Sequence, residues 1–151
     1  MSDLSIDHEN VLTALFDALK NAPVVAGIGG FRTIGRRLRY WDDLTEQPAM
    51  FLRHTAVEDI YSGPGLGATT LESEIWVFSK AGTDPDDVPA VALNQLVTAI
   101  RSVFVPDDFD TGEFTLGGLV QWCRIEGRSD LDPGDVDGQG KAVIPVRILL
   151  P

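Results

Sequence analysis

The chain has 151 residues and a mass of 16.4 kDa, about the length of one domain. Hydrophobic residues make up 44% and charged residues 23%, which excludes wholesale disorder. The 23 Asp and Glu outnumber the 12 Lys and Arg. The resulting net charge of −11 argues against a protein held on nucleic acid or on an anionic membrane by its charge.

Targeting signals and cysteine usage narrow the class further. The N-terminus carries no basic stretch followed by an apolar run, and no window approaches the roughly 20 apolar residues that span a bilayer. Cys123 is the one cysteine, so an internal disulfide and a multi-cysteine zinc site are excluded. We therefore expect a soluble intracellular protein.

The first periodic segment predicts a helix over Asp7–Ala22. Its apolar residues recur at helical spacing and form one stripe: Leu12, Leu15, Phe16 and Leu19. Asp7 is suited to the N-cap, and Pro23 is expected to end the helix. A glycine-rich turn over residues 27–30 follows.

Three strands are predicted next. Phe31–Trp41 alternates, with Ile34, Leu38 and Tyr40 on one face and Arg37 and Arg39 on the other. Ala49–Tyr61 and Leu71–Phe78 alternate in the same way. The glycine-rich stretch Ser62–Gly67 between them is expected to be flexible.

A second helix is predicted over Asp87–Val105. Asp87 would cap it, Pro89 falls in its first turn and Pro106 would stop it. Its apolar stripe consists of Leu93, Leu96, Val97, Ile100 and Phe104.

Two further strands, Phe114–Ile125 and Lys141–Leu150, are separated by an acidic loop over residues 129–140. Pro145 inside the last strand suggests an edge position, because proline lacks the N–H that a central strand donates. The order α-β-β-β-α-β-β predicts an α+β sandwich: one mostly antiparallel sheet with two helices packed on it.

The motifs that suggest chemistry do not complete a known pattern. Gly63–Gly67 lacks the lysine and the Ser or Thr of a phosphate loop, and a strand follows it instead of a helix. In the acidic stretch that starts at Asp130, the sixth position is Asp135 where a calcium loop needs glycine. Asp107–Gly112 misses the same register by one residue. We expect no tightly bound cofactor, while loose Mg²⁺ association during assembly stays open.

Single reactive side chains are equally uninformative. His54 has no cysteine or histidine near it in sequence and is expected to be a surface or hydrogen-bonded residue. Cys123, beside Trp122 in a predicted strand, is expected to be a small buried hydrophobe. Carboxylates are plentiful, but no pair stands out for acid–base work. The expectation is a protein that is not an enzyme.

Charge is distributed unevenly along the chain. Residues 84–137 hold ten Asp and two Glu against three Arg, a net charge of −9, whereas residues 32–53 hold a net charge of +2. A molecule with one basic strand and an acidic remainder is suited to head-to-tail pairing with copies of itself. The alternative is that Arg36, Arg37 and Arg39 only cover a sheet face with their stems.

Six short segments point to a family through their order and spacing along nearly the whole chain: Leu12–Leu15, Arg36–Arg39, Pro48–Leu52, Leu93–Leu96, Thr115–Gly118 and Ala142–Ile148. With these segments the chain resembles the tail terminator proteins of long-tailed bacteriophages, also called minor tail U-like or tail completion proteins. The resemblance implies one α+β domain over residues 1–151 and a structural virion protein without catalytic residues.

The resemblance also implies partners and a location. Members of this family form a hexameric ring on the tail tube, stop polymerisation of the tail-tube protein and present a surface to the head–tail connector protein. Assembly would take place in the bacterial host cytoplasm, and the protein would end in the virion tail. DNA would pass through without specific binding, and no membrane would be involved.

The residues themselves suggest where such a ring makes contact. Ser62–Thr70 is expected to project as a mobile arm and to become ordered against a neighbouring subunit or the tail tube. Arginines on the nearby first strand would supply the charge for acidic loops of the next copy. The expected interface residues are Arg36, Arg37, Arg39, Gly63, Pro64, Gly65, Leu66 and Gly67.

Two alternatives stay open. A head-completion or neck protein of the same virion class would share the size and acidity of this chain. A small hydrolase or nucleotide-binding enzyme is the alternative from a different class, and a ligand or activity screen would separate it.

Overall fold

The computed structural model describes residues 7–39, 44, 46–65, 67–80, 86, 88, 90–135 and 137–151. It has an α+β fold, as the sequence predicted, with one mostly antiparallel six-stranded sheet. The elements are α1 (His8–Leu19), α2 (Ala22–Val25), β1 (Thr33–Gly35), β2 (Ala49–Tyr61), β3 (Gly67–Lys80), α3 (Ala90–Arg101), β4 (Trp122–Ile125), β5 (Asp130–Asp132) and β6 (Gln139–Leu149).

The centre of the sheet is the antiparallel ladder between β3 and β6. It runs from the pair Thr70 and Leu149 to the pair Lys80 and Gln139. The sheet order is β1-β2-β3-β6-β4, and β5 also pairs with β6. β1 pairs with β2 in parallel, and the other pairings are antiparallel.

One face of the sheet carries the main core. Alternate residues of β3 and β6 point to this face and are buried, among them Leu71, Ile75, Ile144 and Ile148. The apolar stripes of α1 and α3 pack against them. As the sequence predicted, Asp7 caps α1, because its carboxylate accepts a hydrogen bond from the N–H of Glu9.

A smaller cluster lies on the opposite face at one end of the sheet. Phe51 and Phe78 meet edge to face with their ring centres 6.0 Å apart. Leu44 and Ala49 are buried with them, and Leu38 packs alongside. This second cluster explains why the first four residues of β2 are all buried instead of alternating.

The first two predicted elements are shorter than the pattern indicated. α1 ends at Leu19 because Asn21 leaves helical geometry, and Pro23 lies in the first turn of the short α2 instead of ending α1. The predicted strand Phe31–Trp41 is formed only over Thr33–Gly35, and its last two residues, 40 and 41, lie outside the described residues.

The second predicted helix is also shorter. α3 ends at Arg101, five residues before Pro106, in a turn where the Ser102 hydroxyl donates to the carbonyl of Ala99 at 2.6 Å. The predicted cap Asp87 and first-turn Pro89 lie outside the described residues. The predicted strand Phe114–Ile125 is formed only from Trp122 onward, because Leu116 and the two glycines after it adopt positive φ angles in a turn.

The prediction that Pro145 marks an edge strand was wrong. β6 lies inside the sheet, and Pro145 is paired with Glu74 on one side. Its other side faces the gap between β4 and β5, where its carbonyl accepts from the N–H of Glu126. The N–H and C=O of one strand residue point to the same side, so the missing donor of Pro145 costs no ladder bond. The predicted acidic loop likewise contains the short strand β5.

Two glycines with similar backbone angles allow a matched test of close packing. A Cβ on Gly134 (φ +77°) would lie 2.7 Å from the backbone of Gln139, whereas one on Gly112 (φ +70°) would meet nothing within 4 Å. We predict that Gly112→Ala lowers the free energy of unfolding by about 1 kcal/mol through backbone strain. Gly134→Ala should cost at least ~2 kcal/mol more in urea unfolding, because backbone atoms must move. Equal losses would contradict the packing account.

Candidate assembly surfaces

The arginine loop, residues 36–39, follows β1 and holds the three arginines predicted at an interface. The guanidinium of Arg36 donates to both carboxylate oxygens of Glu9 at 3.0 Å. The hydrogen bonds and positive charge of Arg36 lower the pKa of the Glu9 carboxyl. Arg36 therefore ties the arginine loop to the start of α1, and its charge is matched within the molecule.

Arg37 and Arg39 are exposed and face solvent. The guanidinium of Arg39 lies 5.7 Å from the ring centre of Phe51, within cation–π distance. Residues 35–39 line a shallow cavity of about 360 Å³. Of the three predicted arginines, two remain available to a partner.

The predicted arm is largely part of the sheet. Tyr61 pairs with Gly67, so Gly67–Thr70 belongs to β3 and the connection is short. Gly63 and Gly65 have φ angles of +145° and +74°, which glycine adopts without strain. Of the predicted interface residues, Leu66 lies outside the described residues. The prediction of a mobile arm over Ser62–Thr70 therefore reduces to the tip of a long hairpin.

The arginine loop and the hairpin tip lie at opposite ends of β2. β1 pairs with β2 at Ala49–Phe51, and the tip follows Tyr61. Ten residues of strand at 3.3 Å each separate these ends by roughly 33 Å. The prediction that the arginines lie near the glycine-rich arm was therefore wrong, because the length of β2 separates them.

The outer half of β2 forms a free edge of the sheet. Beyond Phe51, no described strand pairs with its outer side. Val57, Ile60 and Tyr61 are exposed there, with Tyr61 at 74%. A β-bulge between His54 and Ala56 interrupts this edge, an arrangement that limits uncontrolled strand pairing.

The open face of the sheet carries a compact charge network. Arg147 lies within 4.0 Å of carboxylate oxygens of Glu58, Glu72 and Glu126. Arg124 stacks on Trp122, with its guanidinium carbon 3.7 Å from the ring centre. These charges are paired with one another, so they organise this face instead of offering an unmatched site.

The Phe109 hairpin, residues 107–113, stands after α3. One oxygen of Asp107 accepts from the N–H and hydroxyl of Thr115 at 2.7 Å each, and the other accepts from the N–H of Gly117 at 2.9 Å. Asp108 and Glu113 form a β-bridge. Phe109 is 101% exposed between them, so a well-anchored hairpin presents a bare aromatic ring to solvent.

Hydrogen bonding controls the acidity of Asp107. Desolvation by itself raises the pKa of this carboxyl, but the hydrogen bonds from Gly117 and Thr115 outweigh it. The net result is a pKa below the ordinary value of 3.8. The carboxylate therefore serves as an acceptor that anchors the loop.

The α2–α3 groove is a second exposed apolar feature. It has a volume of about 520 Å³ and is lined by Val25, Ala26, Ile28, Asn94, Gln95, Thr98, Ala99 and Ser102. Val25 is 86% exposed. No carboxylate is among these lining residues, although the chain as a whole is strongly acidic.

Reactive side chains are placed as the sequence predicted. Cys123 is buried, and burial raises the pKa of its thiol to about 12. His54 is exposed and bonds through Nε2 to the carbonyl of Ala56 at 3.1 Å. Among the described residues, no group of three or more His, Cys, Asp or Glu side chains could hold a metal ion. Within the same part of the chain, no helix combines the length and apolarity needed to cross a membrane.

Sequence reasoning missed three of these features. A lone phenylalanine inside Asp107–Gly112 was a usable signal, because acidic turn residues on both sides keep such a ring at the surface. The pairing of Arg36 with Glu9 and the α2–α3 groove both arise from tertiary packing, so no local sequence pattern predicts them.

No protein-family model matches the chain, and no curated protein matches it. This chain is similar to a chain in a solved structure that is described as the virion of a native gene transfer agent particle. The TM-score is 0.52 at 10% sequence identity, and the match covers 92% of each chain. At this identity the likeness concerns the fold.

The anchoring of the Phe109 hairpin can be tested at Asp107. We predict that Asp107→Ala lowers the free energy of unfolding by about 2 kcal/mol, because three hydrogen bonds are lost. Asp110→Ala, a neighbouring exposed carboxylate, should change it by less than ~0.5 kcal/mol.

The effect of Asp107→Ala should depend on pH. Because folding lowers the pKa of Asp107, its contribution is present above pH 3.8 and is lost as the pH falls through the lowered pKa. Urea unfolding between pH 7 and pH 2 should show the two proteins converging at the acidic end. A difference independent of pH would contradict the role of the carboxylate.

Proposed function

We propose that this protein is a structural component of a phage-like virion that forms a ring on the end of the tail tube. The ring, a hexamer in this proposal, ends polymerisation of the tail-tube protein and offers a surface to the head–tail connector protein. The observation that carries the proposal is the fold likeness to a chain of a gene transfer agent virion over 92% of both chains. The resemblance of six sequence segments to tail terminator proteins agrees with it.

The distribution of surface features supports an assembling protein. The arginine loop and the hairpin tip occupy opposite ends of β2, so neighbouring copies or other virion proteins can meet each one separately. Exposed apolar residues cluster on the outer half of β2, in the α2–α3 groove and at Phe109. Monomers rarely leave several such patches uncovered, and patches of this kind mark interaction sites.

The net charge is compatible with a ring in the path of DNA. Six copies at −11 each would carry −66, and a lumen of this sign repels phosphates. DNA would pass without being held. The acidity that argues against a DNA-binding protein therefore agrees with a conduit.

The ring proposal predicts an assembly that depends on ionic conditions. A charge of −11 per copy opposes close packing, and salt or Mg²⁺ screens that repulsion. Light scattering should show the mass rising with ionic strength, and negative-stain images should show rings. A mass that stays monomeric under every ionic condition, even with the tail-tube protein of the same virion present, would overturn the proposal.

The hairpin tip allows a second test. Replacing residues 62–66 by an Asn-Gly turn would join Tyr61 to Gly67 and leave their ladder intact. We expect the thermal midpoint to stay within a few degrees while ring formation or capping of tail tubes falls. Tail-tube length in electron micrographs measures capping, with wild-type protein as the control. Loss of folding would show that the tip is needed for the fold. Normal capping would show that the tip is not part of the interface.

A further inference from the structure

We infer that the Phe109 hairpin of one copy seats in the α2–α3 groove of a second copy. This inference rests on the proposed function and names a contact by which copies of the chain would join. It depends on three independent observations: a rigid exposed aromatic, a concave apolar surface of suitable size, and an acidic hairpin that faces an uncharged groove with Arg101 beside it.

The hairpin is built to present its phenylalanine. Phe109 is fully exposed, which removes any structural role for the ring within its own copy. Its backbone is held by the β-bridge between Asp108 and Glu113 and by the hydrogen bonds of Asp107. Because the loop is ordered before contact, a partner gains the burial of the ring with little loss of conformational entropy. Buried aromatics of this type often dominate interfaces.

The α2–α3 groove provides a concave partner surface. Its apolar floor includes Val25, Ile28 and Ala99, and its volume of about 520 Å³ is larger than a phenyl ring requires. Phe109 and Val25 are the two most exposed large hydrophobic side chains among the described residues. A single contact between the hairpin and the groove would cover both of them.

Charge selects this pairing over other apolar contacts. The hairpin carries Asp107, Asp108, Asp110 and Glu113 and no basic residue. The groove is lined without a carboxylate, and Arg101 lies three residues after the lining residue Thr98, on the same side of α3. In a chain with nearly twice as many acidic as basic residues, most other surfaces would repel this hairpin.

The contact is between two different surfaces of the chain. Each copy therefore offers a free hairpin and a free groove, and the contact repeats from copy to copy until it closes on itself. A ring is the closed form of such an arrangement. The arrangement also means that two differently damaged copies can still form one contact with each other.

The test uses the full chain with two variants that each remove one surface. Phe109→Ala removes the ring, and Val25→Glu places a carboxylate on the rim of the groove. Both sites are exposed, so the fold should persist, and circular dichroism checks this. Each variant alone should raise the concentration for half-assembly by at least about 30-fold. Val24→Glu, an equal charge change one residue away and outside the groove lining, should assemble as wild type does.

Mixing the two variants gives the decisive result. Phe109→Ala retains an intact groove and Val25→Glu retains an intact hairpin, so an equimolar mixture should form a 1:1 dimer that neither variant forms alone. Native mass spectrometry distinguishes the two chains by mass. A mixture that stays monomeric, or variants that assemble as wild type does, would overturn the inference.

The two proposals fail in different ways. If wild-type protein forms rings and Phe109→Ala forms them equally well, the contact is wrong and the ring proposal stands. If wild-type protein forms no assembly under any condition, both fail. As an independent check, Arg101→Glu should weaken assembly, and Asp110→Arg in the same chain should restore it.

Discussion

The antiparallel ladder between β3 and β6 is the constraint on which the rest of the structure depends. Its residues alternate between a buried face and an open face, so the ladder fixes where α1 and α3 pack and where charge accumulates. A shift of β3 by one residue would turn Ile75 out of the core and turn Glu74 into it. On the other side of β3, β1 pairs only with Ala49–Phe51, so the rest of β2 is a free edge and one of the surfaces that a partner could reach.

Strong local patterns were sufficient to predict part of this fold. The bounds of β2 were predicted correctly because a polar turn precedes Ala49 and a glycine-rich turn follows Tyr61. The strand predicted over Phe31–Trp41 is formed only in part, because the chain leaves the sheet at Arg36, whose side chain bonds Glu9, although β2 continues to Tyr61. The edge position predicted from Pro145 was wrong because Pro145 faces the gap between β4 and β5, where no ladder bond is needed. That gap depends on where two other strands pair with β6, and the sequence around Pro145 does not show it.

Of the candidate surfaces, some could be predicted from local sequence and others depend on the tertiary fold. The arginine loop and the glycines of the hairpin tip stand out by their residue types, so both could be identified from the sequence. Their separation along β2 and the internal pairing of Arg36 required the fold. The α2–α3 groove joins two elements about seventy residues apart in the chain, so no local pattern could predict it. Phe109 was visible as an aromatic in an acidic turn, but only the anchoring by Asp107 shows that the hairpin is held in place.

Self-association of so acidic a chain requires that the contacting surfaces differ from the average surface. Two patches of average composition would face each other with like charge, and salt alone screens such repulsion only beyond about 8–10 Å. In the described part of the chain, the arginine loop is basic and the α2–α3 groove is uncharged, so both surfaces differ from the acidic average. An acidic projection such as the Phe109 hairpin meets less repulsion there than elsewhere. In the contact that we propose, an acidic hairpin meets a neutral groove and not an identical acidic face, which is the head-to-tail arrangement that a ring of copies requires.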